Sequence, residues 1–301
     1  MFCSTIIPTV NRPTLTRAVE SVLNQDFGQA DFEVIVVNDS GCQLDEASWQ
    51  HSSRVRMIET QRRERCVARN AGAAVARGRY LHFLDDDDWL LPGALQTFWN
   101  LAQSSDAEWL HGGSELVNEN GDVIAEEHLG ASGNVMVQVL SPKQWVQLQS
   151  SFIKAGAFFG AGGFHPALLV TQDITLCRQV VLRGQFAETM VPVARLSRGA
   201  DWKTTTSYAR GVEYYRLGRE ITLCSEGTFS RMLTSALSGF WKGRMVRIYL
   251  ASALYNMRSK RLFTAASRAI FGSVAFAFAF GGILTQDFWR GILSEPISNI
   301  N

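Results

Sequence analysis

Short apolar runs alternate with helix-type spacing over the first hundred residues. Each run is bounded by polar or turn-forming residues, which is typical of a buried strand. The predicted strands are residues 2–7, 32–37, 55–58 and 79–84. Apolar or small residues at helical spacing predict helices that begin at Pro13, Arg63 and Pro92. Strands that alternate with helices predict an α/β fold, with a mainly parallel sheet flanked by helices.

The pattern becomes less regular beyond about residue 105. Residues 109–117 and 123–126 predict two strands joined by a hairpin turn. Further helices are predicted from Ser141 onward, at 171–182, and at 208–217, where Gly218 ends the last one. The glycines between residues 156 and 163 predict a loop.

Polar residues follow three of the predicted strands. Thr9, Asn11 and Arg12 follow the first strand, Asp39 follows the second, and the acidic run 85–88 follows the fourth. Ligands of open α/β sheets bind outside the carboxyl ends of the strands. We therefore expect these residues to meet at one edge of the sheet.

Four consecutive aspartates raise one another's pKa unless something compensates their charge. A divalent cation is a natural compensator, since hard cations prefer carboxylate oxygens. A solvated acidic turn is the alternative. The apolar residues on both sides of the run favour a functional site.

Four blocks of sequence resemble motifs of glycosyltransferase family 2. They occur in the family's order at residues 6–13, 36–40, 69–72 and 72–93, and together they cover roughly residues 4–95. The resemblance implies a GT-A (Rossmann-like) fold, a nucleotide-sugar donor, a divalent cation (Mg²⁺ or Mn²⁺) and inversion at the anomeric carbon.

The resemblance also implies a role for each matched residue. Thr9 and Asp39 are expected to contact the base, Asp85 and Asp86 to lie near the ribose, and Asp87 to bind the metal. The remaining residues expected in the nucleotide-sugar pocket are Pro8, Asn11, Arg12, Arg69 and Asn70. The sequence departs from the family pattern at Val10, Asn38 and Cys66.

Inverting transfer needs a general base that deprotonates the acceptor hydroxyl. By resemblance we assign this role to Asp201, although Ala200 stands where the family usually has a glutamate. Glu188 and Asp173 are competing candidates. Asp201 as the N-cap of the following helix is the structural alternative.

The C-terminal part is basic and apolar, with no acidic residue between Glu226 and Asp287. Helical spacing predicts a basic amphipathic helix over 241–255, a type that lies on anionic membrane surfaces. Residues 269–284 are apolar but fewer than the roughly 20 that a spanning helix needs. We favour peripheral membrane contact through 240–285; a helix packed against the catalytic domain and a membrane span stay open.

Composition argues against several other kinds of protein and of site. The net charge of +1 gives no support for a nucleic-acid partner. Five scattered cysteines argue against a zinc site or a disulfide framework. No signal peptide is visible, so we expect the catalytic part to be cytoplasmic, at the inner face of the membrane.

Together these patterns divide the chain into three parts. Residues 1–105 form the expected nucleotide-sugar-binding half, 106–238 the acceptor-binding half with the base, and 239–301 a helical extension. The predicted function is a metal-dependent inverting glycosyltransferase with a glycan or glycolipid acceptor, acting in cell-surface polysaccharide or glycolipid synthesis. A nucleotidyltransferase is disfavoured because the loop at 8–13 has no glycine. A non-catalytic nucleotide-sugar-binding module is the other alternative.

Overall fold

The computed structural model describes residues 1–61, 63–133, 135, 146–198, 208–224 and 238–293. The chain divides into two compact units. The first comprises Met1–Ala167 with Gln172–Trp202, and the second comprises Leu168–Thr171 with Lys203–Asn301. The predicted boundaries near residues 105 and 238 stay predictions. The helix predicted from Ser141 and the predicted base Asp201 lie outside the described residues.

Within its described residues, the first unit contains one mixed β-sheet. Its nine strands are β1 (Cys3–Thr9), β2 (Phe32–Asn38), β3 (Val55–Glu59), β4 (Tyr80–Phe83), β5 (Trp89–Leu90), β6 (Trp109–Val117), β7 (Val123–Glu127), β8 (Ser151–Lys154) and β9 (Phe186–Ser197). The order is β3-β2-β1-β4-β8-β6-β9-β5, with β7 paired to β6. Strands β3, β2, β1 and β4 are parallel, whereas β8 runs antiparallel to both β4 and β6.

Helices cover both faces of this sheet. They are α1 (Leu15–Leu23), α2 (Arg65–Val75), α3 (Ala94–Ser104), α4 (Ala155–Gly160) and α5 (Gln172–Val181). Successive side chains of a strand point to opposite faces. Accordingly, Ile7 packs in the core beneath α1 and α3, while Ile6 packs in the core beneath α2, α4 and α5. Burial on both faces explains the continuous apolar runs, and the predicted α/β class with a helix-flanked sheet is confirmed. The sheet, predicted to be mainly parallel, is mixed, because β5, β7 and β8 pair antiparallel with their neighbours.

The prediction of a loop from 156 to 163 is wrong in its first part. Residues Ala155–Gly160 form α4 despite two glycines. Phe158 of this helix is buried, with its ring centroid 5.2 Å from that of Phe83 and 5.6 Å from that of Phe164. Aromatic packing therefore outweighs the low helix propensity of glycine here.

The described part of the second unit consists mainly of helices α6 (Tyr208–Cys224), α7 (Ser238–Arg258), α8 (Leu262–Phe278) and α9 (Gln286–Leu293). The predicted C-terminal helical extension is confirmed, but helix α6 continues through Gly218 instead of ending there. Glycines let α7 and α9 approach closely, since a Cβ at Gly243 would lie 2.2 Å from the Phe288 carbonyl oxygen. Among the described helices, none combines the length and apolar character required to span a bilayer.

Gly78 provides a test of the packing behind β1. A Cβ added at this position would lie 2.4 Å from backbone atoms of Cys3 and Ser4, in a central strand that has no room to shift. We expect Gly78→Ala to lower the free energy of unfolding by about 2 kcal/mol, as overpacking does. Gly28→Ala is the matched control, because nothing lies within 4 Å of its added Cβ. Urea unfolding curves with equal midpoints for the two variants would contradict this packing.

Candidate active site

The loops that follow β1, β2 and β4 meet at one edge of the sheet. Parallel register places Thr9 beside Asn38, and the backbone N–H of Asp39 donates to the carbonyl oxygen of Thr9 over 2.8 Å. The hydroxyl of Thr9 in turn donates to Asp86 Oδ2 over 2.6 Å. The N–H of Asn11, which has a φ of 67°, donates back to the Thr9 hydroxyl. The structure thus brings together the loops that the sequence placed at one edge.

Asp85 is neutralised from inside the protein. One of its oxygens accepts from Arg69 on α2, and the other accepts from Gln149 Nε2 over 2.8 Å. Burial acts to raise the pKa of Asp85, but the charge and hydrogen bond of Arg69, the charge of Arg65 and the hydrogen bond of Gln149 together hold this pKa below its usual value. The Arg69 side chain is buried, with its guanidinium 5.3 Å from the ring centroid of Phe164.

Asp86 and Asp87 share one arginine. Arg12 Nη1 lies 2.6 Å from Asp87 Oδ2 and 3.2 Å from Asp86 Oδ1. Burial raises the pKa of Asp86, although the Thr9 hydroxyl and Arg12 act in the opposite direction. Asp86 is therefore held by the first loop, whereas Asp87 stays partly exposed at the surface.

Asp88 is buried and faces the end of β9. The backbone N–H of Ser197 donates to Asp88 Oδ1 over 2.8 Å, and the Ser197 hydroxyl donates to the Asp87 carbonyl oxygen over 2.7 Å. Arg17 donates to the same carbonyl over 2.8 Å, with its guanidinium 3.8 Å from the centroid of the Trp89 ring. Burial raises the pKa of Asp88 well above its usual value, and the charges of Asp85 and Asp87 raise it further.

Three members of the acidic run form a group suited to a metal ion. Asp85, Asp87 and Asp88 each offer one carboxylate oxygen, and these oxygens lie within 4.8 Å of one another. A set of hard oxygen donors suits Mg²⁺ or Mn²⁺. Burial is the main cause of the raised pKa of Asp88, and the neighbouring charges of Asp85 and Asp87 add to it, so a positive ion here would favour the ionised carboxylate. The chemistry of these residues therefore fits the cation that the sequence predicts, with Asp88 beside the expected Asp87.

Two other predicted pocket residues, Asp39 and Asn70, form hydrogen bonds with neighbouring loops. The Asp39 carboxylate accepts from Thr60 Oγ1 over 2.7 Å and from the N–H of Glu64, the residue that caps α2. The Asn70 amide donates to the carbonyl oxygen of Phe164 over 2.7 Å and accepts from its N–H over 3.0 Å. Both side chains thus fix loops at the rim. Pro8 lies within β1 opposite Val37.

The competing base candidates have structural contacts of their own. The Glu188 carboxylate accepts from the N–H groups of Leu129 (2.5 Å) and Ala131 (2.9 Å), and its side chain is buried. Asp173 lies in the first turn of α5, accepts from the N–H of Ile174 over 2.8 Å, and has a pKa raised by burial. Glu188 in particular holds a loop in place and is not available to an acceptor.

Sequence reasoning did not assign roles to Arg17, Asp88, Gln149 or Ser197. Asp88 stood inside the recognised acidic run but was given no role. Ser197 is the last residue of β9, so the rule for carboxyl ends of strands could have identified it once β9 was placed beside β6. Arg17 and Gln149 carry no local signal, because their partners lie 70 and 64 residues away along the chain.

Comparison with known proteins gives this geometry a context. The sequence model of glycosyl transferase family 2 matches residues 4–160. Poly(ribitol-phosphate) beta-N-acetylglucosaminyltransferase TarP of Staphylococcus aureus (strain N315) is 30% identical over 115 residues, 36% of this chain and 35% of that protein. GalNAc(5)-diNAcBac-PP-undecaprenol beta-1,3-glucosyltransferase of Campylobacter jejuni subsp. jejuni serotype O:2 is 34% identical over 130 residues, 41% of each chain. The chain spans less than half the length of these relatives.

A solved structure extends the likeness to nearly the whole chain. S. aureus TarS 1-349 in complex with UDP-GlcNAc has a TM-score of 0.60 at 16% identity, and the match covers 93% of this chain and 92% of that one. The likeness shows a common fold, a mixed sheet flanked by helices and followed by C-terminal helices. The expected GT-A fold is therefore confirmed.

Replacing the buried charge of Asp88 tests the electrostatics of the acidic group. Asp88→Asn keeps an oxygen that can accept from the Ser197 N–H but removes a carboxylate whose pKa is raised by burial, Asp85 and Asp87. We expect this variant to be more stable than the wild type at neutral pH without added cation, by about 0.5–2 kcal/mol. It should also lose any thermal stabilisation by Mn²⁺. Urea unfolding and thermal melts measure the two effects.

The pH dependence of this gain has a definite sign. A raised pKa means that the folded wild type binds a proton more tightly than the unfolded chain does, so acidification stabilises the wild type. The advantage of Asp88→Asn should therefore be largest above the raised pKa and should shrink as pH falls through it toward the ordinary carboxyl pKa. A gain that stays constant with pH, or a variant less stable than the wild type at neutral pH, would contradict the electrostatic account.

Proposed function

This chain belongs to glycosyl transferase family 2 and is a glycosyltransferase. We propose that it transfers a sugar from a nucleotide-sugar donor to an acceptor hydroxyl. The proposed reaction inverts the anomeric carbon and depends on a divalent cation. One observation carries the proposal. The loops of Thr9 and Asp39 are hydrogen bonded to each other, and the Thr9 hydroxyl is bonded to the acidic run. A nucleotide placed on the first two loops would have its diphosphate beside carboxylates suited to a cation.

Each part of the site contributes a separate element of the reaction. Asp85, Asp87 and Asp88 would hold the cation, which when bound supplies positive charge that stabilises the departing diphosphate. Arg69 holds Asp85 in one position through a buried ion pair. The loop of Asp39 is fixed by Thr60 and would receive the base. Asp201 would accept the proton of the acceptor hydroxyl.

The comparisons suggest where to look for substrates. The TarS fragment was solved with UDP-GlcNAc and with UDP, so uridine diphosphate sugars are the first donors to test. One relative is named for a GalNAc(5)-diNAcBac-PP-undecaprenol acceptor and another for poly(ribitol-phosphate). We propose a cell-surface polysaccharide or glycolipid acceptor for this chain as well.

Two variants separate donor binding from catalysis. Asp87→Ala should abolish the rise in melting temperature that a nucleotide sugar with Mn²⁺ or Mg²⁺ gives the wild type, because the cation then lacks a ligand. Asp201→Asn should keep that rise but lower the transfer or donor-hydrolysis rate about 10²–10⁴-fold, the range for a lost general base. The measurements are a thermal-shift panel of UDP-, GDP- and dTDP-sugars and a donor-hydrolysis assay. Full activity in either variant would contradict the assigned roles.

We further propose that the second unit contacts a membrane through residues 240–285. Helix α8 packs with its small residues inward, since Ala265 and Gly272 are its buried positions and Gly272 lies close to Leu250 of α7. Its large apolar residues point outward, and Phe263 is 91% exposed. Phe280, just beyond α8, is 77% exposed. A helix in water alone would favour the opposite arrangement.

The charge around this surface favours anionic lipid. Arg258, Lys260 and Arg261 are exposed at the turn between α7 and α8, in a stretch free of acidic residues. A surface with apolar, aromatic and basic residues matches the interface of an anionic bilayer. A symmetric dimer through the same surface would bring like charges together. The predicted amphipathic helix is α7, and its Arg244 is buried. Helix α7 exposes Leu250, Leu254 and Met257, and α8 adds a larger set of exposed apolar side chains. Attachment at the inner face would bring the site to lipid-linked acceptors.

Vesicle binding tests this surface. The double variant Phe263→Ser with Phe280→Ser removes exposed aromatic rings without touching the buried contacts of α8. We expect it to sediment with phosphatidylglycerol-containing vesicles about tenfold more weakly than the wild type, since each ring loses apolar burial. Met190→Ser, at an exposed position of the first unit, is the control and should bind like the wild type. Equal binding of all three proteins to the vesicles would exclude membrane contact through this surface.

A further inference from the structure

Among the described residues, Arg12 and Arg69 form ion pairs with carboxylates of the acidic run, and the two differ sharply in exposure. The Arg69 side chain is 4% exposed and is paired with Asp85. The Arg12 side chain is 50% exposed and is paired with Asp87, whose own side chain is 41% exposed. A buried charge pair is costly to separate, whereas an exposed pair contributes little stability. The Arg69 pair is therefore a fixed part of the site, and the Arg12 pair is exchangeable.

Asp87 is the residue on which two positive partners converge. Its Oδ2 atom accepts from Arg12 Nη1 over 2.6 Å. The same carboxylate belongs, with Asp85 and Asp88, to the group of oxygens suited to a metal ion. A guanidinium and a divalent cation on one carboxylate repel each other. Occupation of Asp87 by one should therefore weaken its attraction for the other.

We propose that Arg12 is an internal counter-ion that competes with the divalent cation for Asp87 and passes to the diphosphate of the donor when the cation binds. This inference rests on the proposed function. Arg12 lies on an exposed loop, directly after Asn11, whose φ is 67°. Its half-exposed guanidinium can therefore turn away from Asp87. The turn also gives up its 3.2 Å contact with the buried Asp86, which keeps the hydrogen bond from the Thr9 hydroxyl. A diphosphate offers it oxygens that replace those of Asp87.

The exchange makes cation binding and nucleotide binding cooperative. In the absence of nucleotide, the cation must displace Arg12 from Asp87. When a diphosphate is present, Arg12 has a new partner, and the carboxylate is released to the cation. Because coupling between two ligands is reciprocal, each should raise the affinity of the other.

The test is the affinity for Mn²⁺ alone, measured from the electron paramagnetic resonance signal of free Mn²⁺. Arg12→Gln should bind Mn²⁺ about tenfold more tightly than the wild type, within the usual range of couplings. Adding UDP or GDP should then raise Mn²⁺ affinity less in Arg12→Gln than in the wild type. Circular dichroism melts check that each variant is folded.

Arg17→Gln is the matched control. Arg17 also contacts Asp87, but it donates to the backbone carbonyl oxygen and leaves the carboxylate free. Its removal takes away the same positive charge near the acidic run but frees no carboxylate oxygen, so it should tighten Mn²⁺ binding much less than Arg12→Gln does. Equal tightening in the two variants would show a general charge effect and overturn the exchange. An unchanged or weaker affinity in Arg12→Gln would overturn it too.

These outcomes are distinct from failure of the proposed function. If neither the wild type nor Arg12→Gln binds Mn²⁺, with or without nucleotide, the cation site itself is wrong and the exchange falls with it. If Mn²⁺ binds equally well to Asp87→Ala, the cation uses other ligands, and the exchange is again excluded. If Mn²⁺ binding requires Asp87 and becomes markedly tighter only in Arg12→Gln, the result supports both the cation site and the exchange of Arg12.

Discussion

Four carboxylates crowd into one turn at the end of β4 and repel one another. Neighbouring segments of the first unit supply hydrogen-bond donors and positive charges that reduce this repulsion. Helix α2 supplies a buried guanidinium to the first carboxylate, and the loop after β1 supplies a hydroxyl and an exposed guanidinium to the next two. The end of β9 supplies a backbone N–H to the fourth. Even so, the pKa of Asp88 stays raised. Burial and the charges of Asp85 and Asp87 raise it by more than the Ser197 N–H and the charge of Arg198 lower it. A positive ion bound at this turn would offset the charge that these partners leave, as the proposed function requires.

Much of the fold could be predicted because parallel strands buried on both faces leave a strong local pattern. The structure places β1, β2, β3 and β4 within two residues of the predicted apolar runs. Helices that contain glycine were predicted less well, as α4 and α6 show, since their stability comes from packing partners remote in sequence. The antiparallel pairing of β8 with β4 and β6 could not be predicted from the sequence, because the local pattern does not encode strand order.

The site shows the same division between local and remote information. Residues inside motifs could be predicted, since Thr9, Asp39 and the acidic run follow strands whose ends must meet. What those side chains contact could not: Asp39 binds Thr60 and the N–H of Glu64, and Asn70 binds a loop beyond β8. Motif membership predicts the neighbourhood of a residue, whereas its hydrogen-bond partners depend on how distant segments fold back.

The contact between β9 and the acidic turn has an evolutionary consequence. The Ser197 N–H that binds Asp88 belongs to the backbone, so any residue except proline at this position could provide it. Such a contact imposes almost no constraint on amino-acid identity. A substitution at this position would keep the backbone contact with Asp88 and lose only the hydrogen bond that the Ser197 hydroxyl donates to the Asp87 carbonyl oxygen. This is consistent with a family model that ends at residue 160, well before the last strand that shapes the site.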